Sequence, residues 1–150
     1  MKKLLTAMGL GKLGTGGKTP TTVFPVECDD GDKDILGQVL DAHPTMVSHE
    51  RLFATMMACK HVCEAGVQGD FVECGVWRGG NAIVAADIFR RSGQPRTSWL
   101  FDTFTGMTEP TEADVKHSGE GARASFLRKQ RMGYNEWCYA SIEDVQESFS

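Results

Sequence analysis

Apolar residues recur at three- and four-residue spacing between Ser48 and Glu64, where Leu52, Phe53, Met56, Met57, Cys59 and Cys63 make one face. That period predicts an amphipathic helix. Ser48 suits its N-cap, Glu50 suits the dipole of its first turn, and Gly66 stops it. Methionines at this spacing read as core filling. Upstream, Asp34 to Leu40 predicts a short helix that ends near Ala42-His43-Pro44. Beyond Gly66 the pattern changes. Asp70 to Val76 predicts a strand, Asn81 to Arg91 a helix closed by Ser92-Gly93, and Ser98 to Asp102 a second strand. A crossover of that length makes a right-handed parallel βαβ unit. The polar stretch from Thr103 to about Gly121 reads as a loop or lid, and Ala122 to Arg131 as a short helix. Ile142, Val145 and Phe149 then start a last helix from Ser141, with Glu143 and Asp144 in its first turn.

Two strands are too few for an independently stable parallel sheet, and doubly wound domains usually have five or more. The fold class expected is α/β and incomplete: N-terminal helices plus a first βαβ unit, the opening part of something longer. Residues 1–22, rich in Gly, Lys and Thr, read as a flexible tail, 23–68 as a helical segment, and 69–150 as the truncated first part of a cofactor-binding domain. Within the tail, Met1 to Leu10 imitates a signal peptide, but Thr6 and Gly9 break its apolar run and no clear cleavage site follows. Gly14 to Thr19 resembles a phosphate-binding loop, yet the Walker spacing needs glycine where Lys12 stands. Nothing approaches the roughly 20 apolar residues of a membrane span.

Composition adds little to this. With 41% apolar and 24% charged residues, 150 residues can bury one core, and the net charge of −4 gives no electrostatic footprint for nucleic acid. Five scattered cysteines, an odd number and mostly inside apolar segments, read as buried free thiols in a reducing, cytoplasmic compartment. Cys59 and Cys63 lie one helical turn apart with no second ligand pair, so zinc is not expected there. Neither a nucleic acid nor a membrane is expected as a partner. Exposed sheet edges leave a homo-oligomer open.

The chemistry concentrates in Gly69-Asp-Phe-Val-Glu-Cys-Gly-Val-Trp-Arg-Gly-Gly80. Here a strand runs into an acid, Glu73, then a glycine turn at Gly75, Gly79 and Gly80, then an apolar helix. Glycine lets a backbone approach a ligand closely, and a helix start offers free N–H groups. Asp102 closes the second strand, where an acid accepts hydrogen bonds from ribose hydroxyls. It falls 27 residues after Gly75, somewhat beyond the roughly 20-residue guide. Its plainer role is to cap the following turn through Thr103. Glu73, if buried, needs a cationic partner or several N–H donors. A ligand's ammonium or Arg78 would serve.

These residues resemble the macrocin O-methyltransferase (TylF/MycF-type) family. Thr45-Met-Val-Ser-His-Glu-Arg-Leu52, Phe101-Asp-Thr-Phe-Thr-Gly-Met107 and Trp137-Cys-Tyr-Ala-Ser-Ile-Glu-Asp-Val145 follow the family's order around the glycine string. The resemblance covers about residues 44 to 150. It implies a Rossmann-like, class I, S-adenosyl-L-methionine-dependent O-methyltransferase. Its acceptor would be a sugar hydroxyl of a glycosylated small molecule, an antibiotic or polysaccharide precursor, with a divalent metal, usually Mg2+. By the same resemblance, Glu73, Gly75, Val76, Gly79 and Gly80 would line the methionine side of the cofactor. Asp102 would hold the ribose with Thr103 and Phe104 beside it, and Thr45, Met46 and Ser48 could close over it. The family's metal-binding and general-base aspartates fall on no residue of this chain, so by itself the chain is expected to be inactive. Glu109, Glu112, Asp114 and His117 form a polar segment that reads as a solvated loop or as an acceptor contact. Two other functions stay open: an NAD(P)-dependent oxidoreductase, which would lack its G-x-G-x-x-G, and a non-catalytic remnant.

Overall fold

The structure, a computed structural model, describes residues 24–42 and 45–150. The leader, the tail, the phosphate-loop look-alike and His43-Pro44 lie outside the described residues. Helix α1 spans Asp30–Asp41, starting earlier than the apolar pattern alone indicates. The cause is a capping box in which aspartate plays glutamate's part. Asp29 Oδ1 accepts from the Asp32 N–H at 2.8 Å and Asp32 Oδ2 accepts from the Asp29 N–H at 3.0 Å. Helix α2 spans His49–Glu64 with Leu52, Met56, Cys59 and Cys63 buried, as their spacing predicts. Ser48 takes the N-cap backbone position but makes no side-chain cap bond.

Strand β1 (Phe71–Cys74), helix α3 (Gly80–Arg91) and strand β2 (Ser98–Phe101) form the expected parallel unit, with Phe71 opposite Ser98 and Cys74 opposite Phe101. Both strands are shorter than predicted, because Gly75 and Asp102 already belong to the turns. Helices α4 (Arg123–Lys129) and α5 (Ile142–Ser148) complete the order, and Ser141 and Asp144 build a second capping box at α5.

The larger core is helical rather than sheet-centred. Ile35, Leu36 and Val39 of α1, Leu52 and Met56 of α2, and Ile83, Val84 and Ile88 of α3 bury one another. A smaller cluster of Val76, Ala82, Leu100 and Val145 seats α5 against the βαβ unit. One face of the sheet carries Phe71 and Glu73 towards α3, with the Phe71 and Phe89 rings 6.1 Å apart. On the opposite face Val72 and Cys74 are exposed, although parallel sheets are usually covered on both faces. Cys28, Cys59 and Cys63 are buried free thiols as expected, and Cys74 is the correction.

Three helices meet at one fully buried carboxylate. Asp32 accepts from Lys60 on α2 and from Arg91 Nη2 on α3, the latter at 2.6 Å. Arg91 in turn reaches Asp87 at 2.7 Å. Burial alone would push the Asp32 carboxyl up, but the Arg91 and Lys60 hydrogen bonds win and hold it below the usual carboxylate range.

Candidate functional site

The two turns at the ends of β1 and β2 are tied together by one side chain. Gly75 N–H donates to Phe101 O at 2.8 Å, the last rung of the ladder. The chain then turns through Gly75 at φ +86°, where an added Cβ would meet nothing within 4 Å. Asp102 Oδ2 receives the N–H groups of Val76 (2.8 Å) and Trp77 (3.1 Å). Its Oδ1 accepts from the Phe104 N–H at 3.1 Å, and the Thr103 hydroxyl lies at 3.3 Å. That hydroxyl has one proton and sits only 2.6 Å from Gly106 O, so the proton goes there. Asp102 Oδ1 therefore keeps an acceptor position that no protein donor fills well. Asp102 does cap the following turn, but through the Phe104 N–H rather than Thr103, and it leaves room for a further donor.

A third segment closes the site. Gly106, at φ +82°, passes so close to Asn135 that a Cβ would lie 1.8 Å from its carbonyl oxygen. Asn135 is buried, donates its backbone N–H to Thr105 O at 2.8 Å, and bonds Phe126 O at 2.9 Å through Nδ2. Trp77 Nε1 reaches across to Tyr139 O at 3.0 Å. Among the described residues three non-glycines have positive φ, and each segment holds one of them: Trp77 (49°), Phe104 (55°) and Cys138 (56°). Such backbone costs about 1–3 kcal/mol per residue and persists where the surroundings over-determine it.

Two clefts open beside Asp102 and Thr103. One, of about 540 Å³, is walled by Met46, Gly75, Trp77, Phe101, Met107 and Cys138, mostly apolar surface with the Asp102 carboxylate at its edge. The other, of about 590 Å³, is more polar and adds Phe104, Tyr139, Ser141 and Glu143. Ligand sites commonly pair an apolar wall with a few convergent polar groups.

Glu73, two residues before Gly75, lies on the α3 side of the sheet and lines neither cleft. Its Oε1 accepts from Asn81 Nδ2 at 3.4 Å, and its Oε2 is buried without a partner. Burial pushes its carboxyl up to about 7; the Asn81 hydrogen bond opposes this and the negative charge of Asp102 adds to it. Arg78 does not pair with it. The Arg78 guanidinium sits 5.4 Å from the Trp77 ring centroid instead.

The expected site residues thus divide. Gly75, Asp102, Thr103 and Phe104 line the clefts, as does Met46 from the segment before α2. Thr45 instead bonds the Val47 N–H at 3.1 Å, and Ser48 heads α2. Val76 offers its backbone N–H to Asp102 while its side chain is buried in the small cluster. Gly79 and Gly80 are buried at the start of α3, and Gly79 makes room for the Phe149 ring, 2.9 Å from where its Cβ would be. The polar segment is built rather than loose. Asp114 holds Thr111, Val115 bridges to Gly121, and Glu109 pairs with Arg123 at 3.1 Å. Glu109, Glu112, Asp114 and His117 are all exposed, and none lines either cleft. Trp77, Asn81, Asn135 and Cys138 are the site-building residues that sequence reasoning did not single out.

Known proteins carry the same pattern. Residues 32–150 match the family described as macrocin-O-methyltransferase (TylF). The chain is 38% identical over 112 residues to the 8-demethyl-8-(2,3-dimethoxy-alpha-L-rhamnosyl)-tetracenomycin-C 4'-O-methyltransferase of Streptomyces olivaceus, covering 73% of this chain and 41% of that protein. It is 32% identical over 110 residues to the demethyldecarbamoylnovobiocin O-methyltransferase of Streptomyces niveus, covering 73% and 38%. The solved O-methyltransferase NovP superposes with a TM-score of 0.55 at 32% identity, covering 70% of this chain and 40% of that one. The chain spans about two fifths of the length of these relatives.

Proposed function

Because the chain belongs to the macrocin-O-methyltransferase (TylF) family, we propose that it carries the cofactor-binding half of an S-adenosyl-L-methionine-dependent O-methyltransferase. The acceptor would be a sugar hydroxyl on a glycosylated small molecule, the kind of substrate named for the rhamnosyl-tetracenomycin relative. One observation carries the reading: the Asp102 carboxylate is bonded to both the Val76 and Trp77 N–H groups, so acid and glycine turn share one cleft.

The residues present fit the cofactor. Gly75 leaves open space where any other residue would put a Cβ, and Glu73 Oε2 is a buried acceptor without a donor. When bound, the cofactor supplies an electrophilic methyl on a sulfonium centre. The open acceptor position of Asp102 Oδ1 would take a ribose hydroxyl, with Thr103 fixed beside it by Gly106. Met46, Trp77 and Phe101 would exclude water from the apolar wall, and Glu73 would set a negative charge under the cationic end of the ligand. Alignment of acceptor and donor supplies much of the rate in such a displacement. Among the described residues no group of three or more His, Cys, Asp or Glu side chains could hold a metal. The magnesium implied by the family resemblance therefore finds no donor set here, and no step is drawn through it.

Calorimetric titration with S-adenosylhomocysteine and, separately, with NAD tests the reading. Saturable heat with the first and none with NAD is expected. Binding of NAD alone would overturn it in favour of an oxidoreductase.

A further inference from the structure

Glu73 has one side-chain donor, beside the Ala82 N–H, and that donor is itself held from another helix. Asn81 sits in the first turn of α3, with its Nδ2 towards Glu73 Oε1 at 3.4 Å. Its own carbonyl oxygen accepts from Thr55 Oγ1 of α2 at 3.2 Å, a contact joining residues 26 positions apart. The Glu73 carboxylate, which only accepts, settles which way the Asn81 amide points. With Nδ2 given to the carboxylate, Oδ1 is left facing the Thr55 hydroxyl, which holds the amide against α2. Flipped, the amide would present one acceptor to another, and Glu73 would lose its side-chain donor. We infer that Asn81, held against helix α2 through Thr55, is a positioning residue that orients the Glu73 carboxylate and so links α2 to the charge in the cofactor site.

The surroundings of Glu73 make this relay matter. From the end of β2, Asp102 faces it with a like charge; from α3 come the Asn81 amide and the Ala82 N–H; from α2 comes only the Thr55 hydroxyl, through Asn81. Burial and Asp102 both favour the protonated acid, and the two α3 donors favour the carboxylate. With the balance near neutrality, loss of one donor moves the group across the working pH. A cationic ligand that needs the carboxylate would then release a proton on binding. Its affinity would fall about tenfold per pH unit below the Glu73 midpoint. Thr55 also contacts the Arg51 carbonyl at 3.1 Å, so its one proton is shared between helix and relay. Removing the hydroxyl therefore costs the helix nothing that its own backbone ladder does not supply.

The test uses the full chain and has two parts. The first needs no ligand: carboxyl carbon-13 NMR titration of Glu73, its signal assigned by its loss in Glu73→Gln. Asn81→Ala should raise the midpoint by about half to one pH unit, and Thr55→Val should raise it by less. Thr55→Ser should restore the wild-type value, which a merely structural role for Thr55 would not require. An unmoved midpoint in Asn81→Ala overturns the inference. Should that variant lose its cooperative melt, an unmoved midpoint in Thr55→Val overturns it equally. The second part rests on the cofactor reading above. S-Adenosylmethionine affinity should rise about fivefold from pH 6 to pH 7 in wild type, with the curve displaced to higher pH in Asn81→Ala and flat in Glu73→Gln. If wild type binds no cofactor at any pH while the NMR midpoints still move, the cofactor reading fails and the role of Asn81 stands.

Discussion

At the C-terminal end of α3, Asp32 lies wholly buried and meets Lys60 and Arg91 besides closing its own capping box. At the N-terminal end of the same helix, Glu73 has one 3.4 Å side-chain contact and an oxygen with no partner at all. The first carboxyl is held below the usual range and the second is pushed up to about 7. Burial acts in the same direction on both, so the difference is made by donors. A buried acid that the fold fully satisfies is part of the scaffold. One left short of donors costs stability and can accept a donor from outside the fold.

The largest test of that contrast is Asp32→Ala. It leaves Lys60 and Arg91 facing each other across the helix junction, and loss of about 3 kcal/mol is expected in urea unfolding, since breaking a buried pair strands its partners. Asp32 is held low in the folded state, so its contribution is complete above the unfolded carboxylate range and disappears as pH falls through the depressed folded value. The gap between wild type and variant should therefore close in acid. Glu73 has the opposite sign. Its folded value is raised, so whatever it contributes is present below the unfolded value and lost as pH rises through about 7. Glu73→Gln should consequently match wild type near pH 5 and be more stable on the order of 2 kcal/mol at pH 8. A destabilised Glu73→Gln at pH 8 would erase the distinction between the two ends. Smallest is Asp29→Ala, which removes the α1 cap but leaves Asp32 its two cations, for about 1 kcal/mol by thermal melt.

The βαβ unit and its acid were readable because each depends on residues close in sequence: short apolar runs in β1 and β2, glycine at the turn, an aspartate at the strand end. The start of α1 was also written locally, in Asp29 and Asp32, but apolar periodicity does not report a capping box made of two aspartates. Other features depend on distant partners. Gly79 reads from sequence as part of the ligand turn, and nothing local announces that Phe149, 70 residues on, also needs its missing Cβ. The left-handed backbone of Trp77, Phe104 and Cys138 has no local signal, since that conformation is the habit of Gly and Asn. Val72 belongs to the apolar run that predicts β1 and is 58% exposed, because pairing with β2 fixes its face without covering it.

That bare face has a practical consequence through Cys74, whose sulfur is exposed beside Val72 while three other thiols are buried. A small alkylating reagent should mark Cys74 first, half-buried Cys138 more slowly, and spare Cys28, Cys59 and Cys63, giving a chemical clock for the surface. Anything that lies down on those strands, from whatever source, would be seen as a slowing of that one reaction.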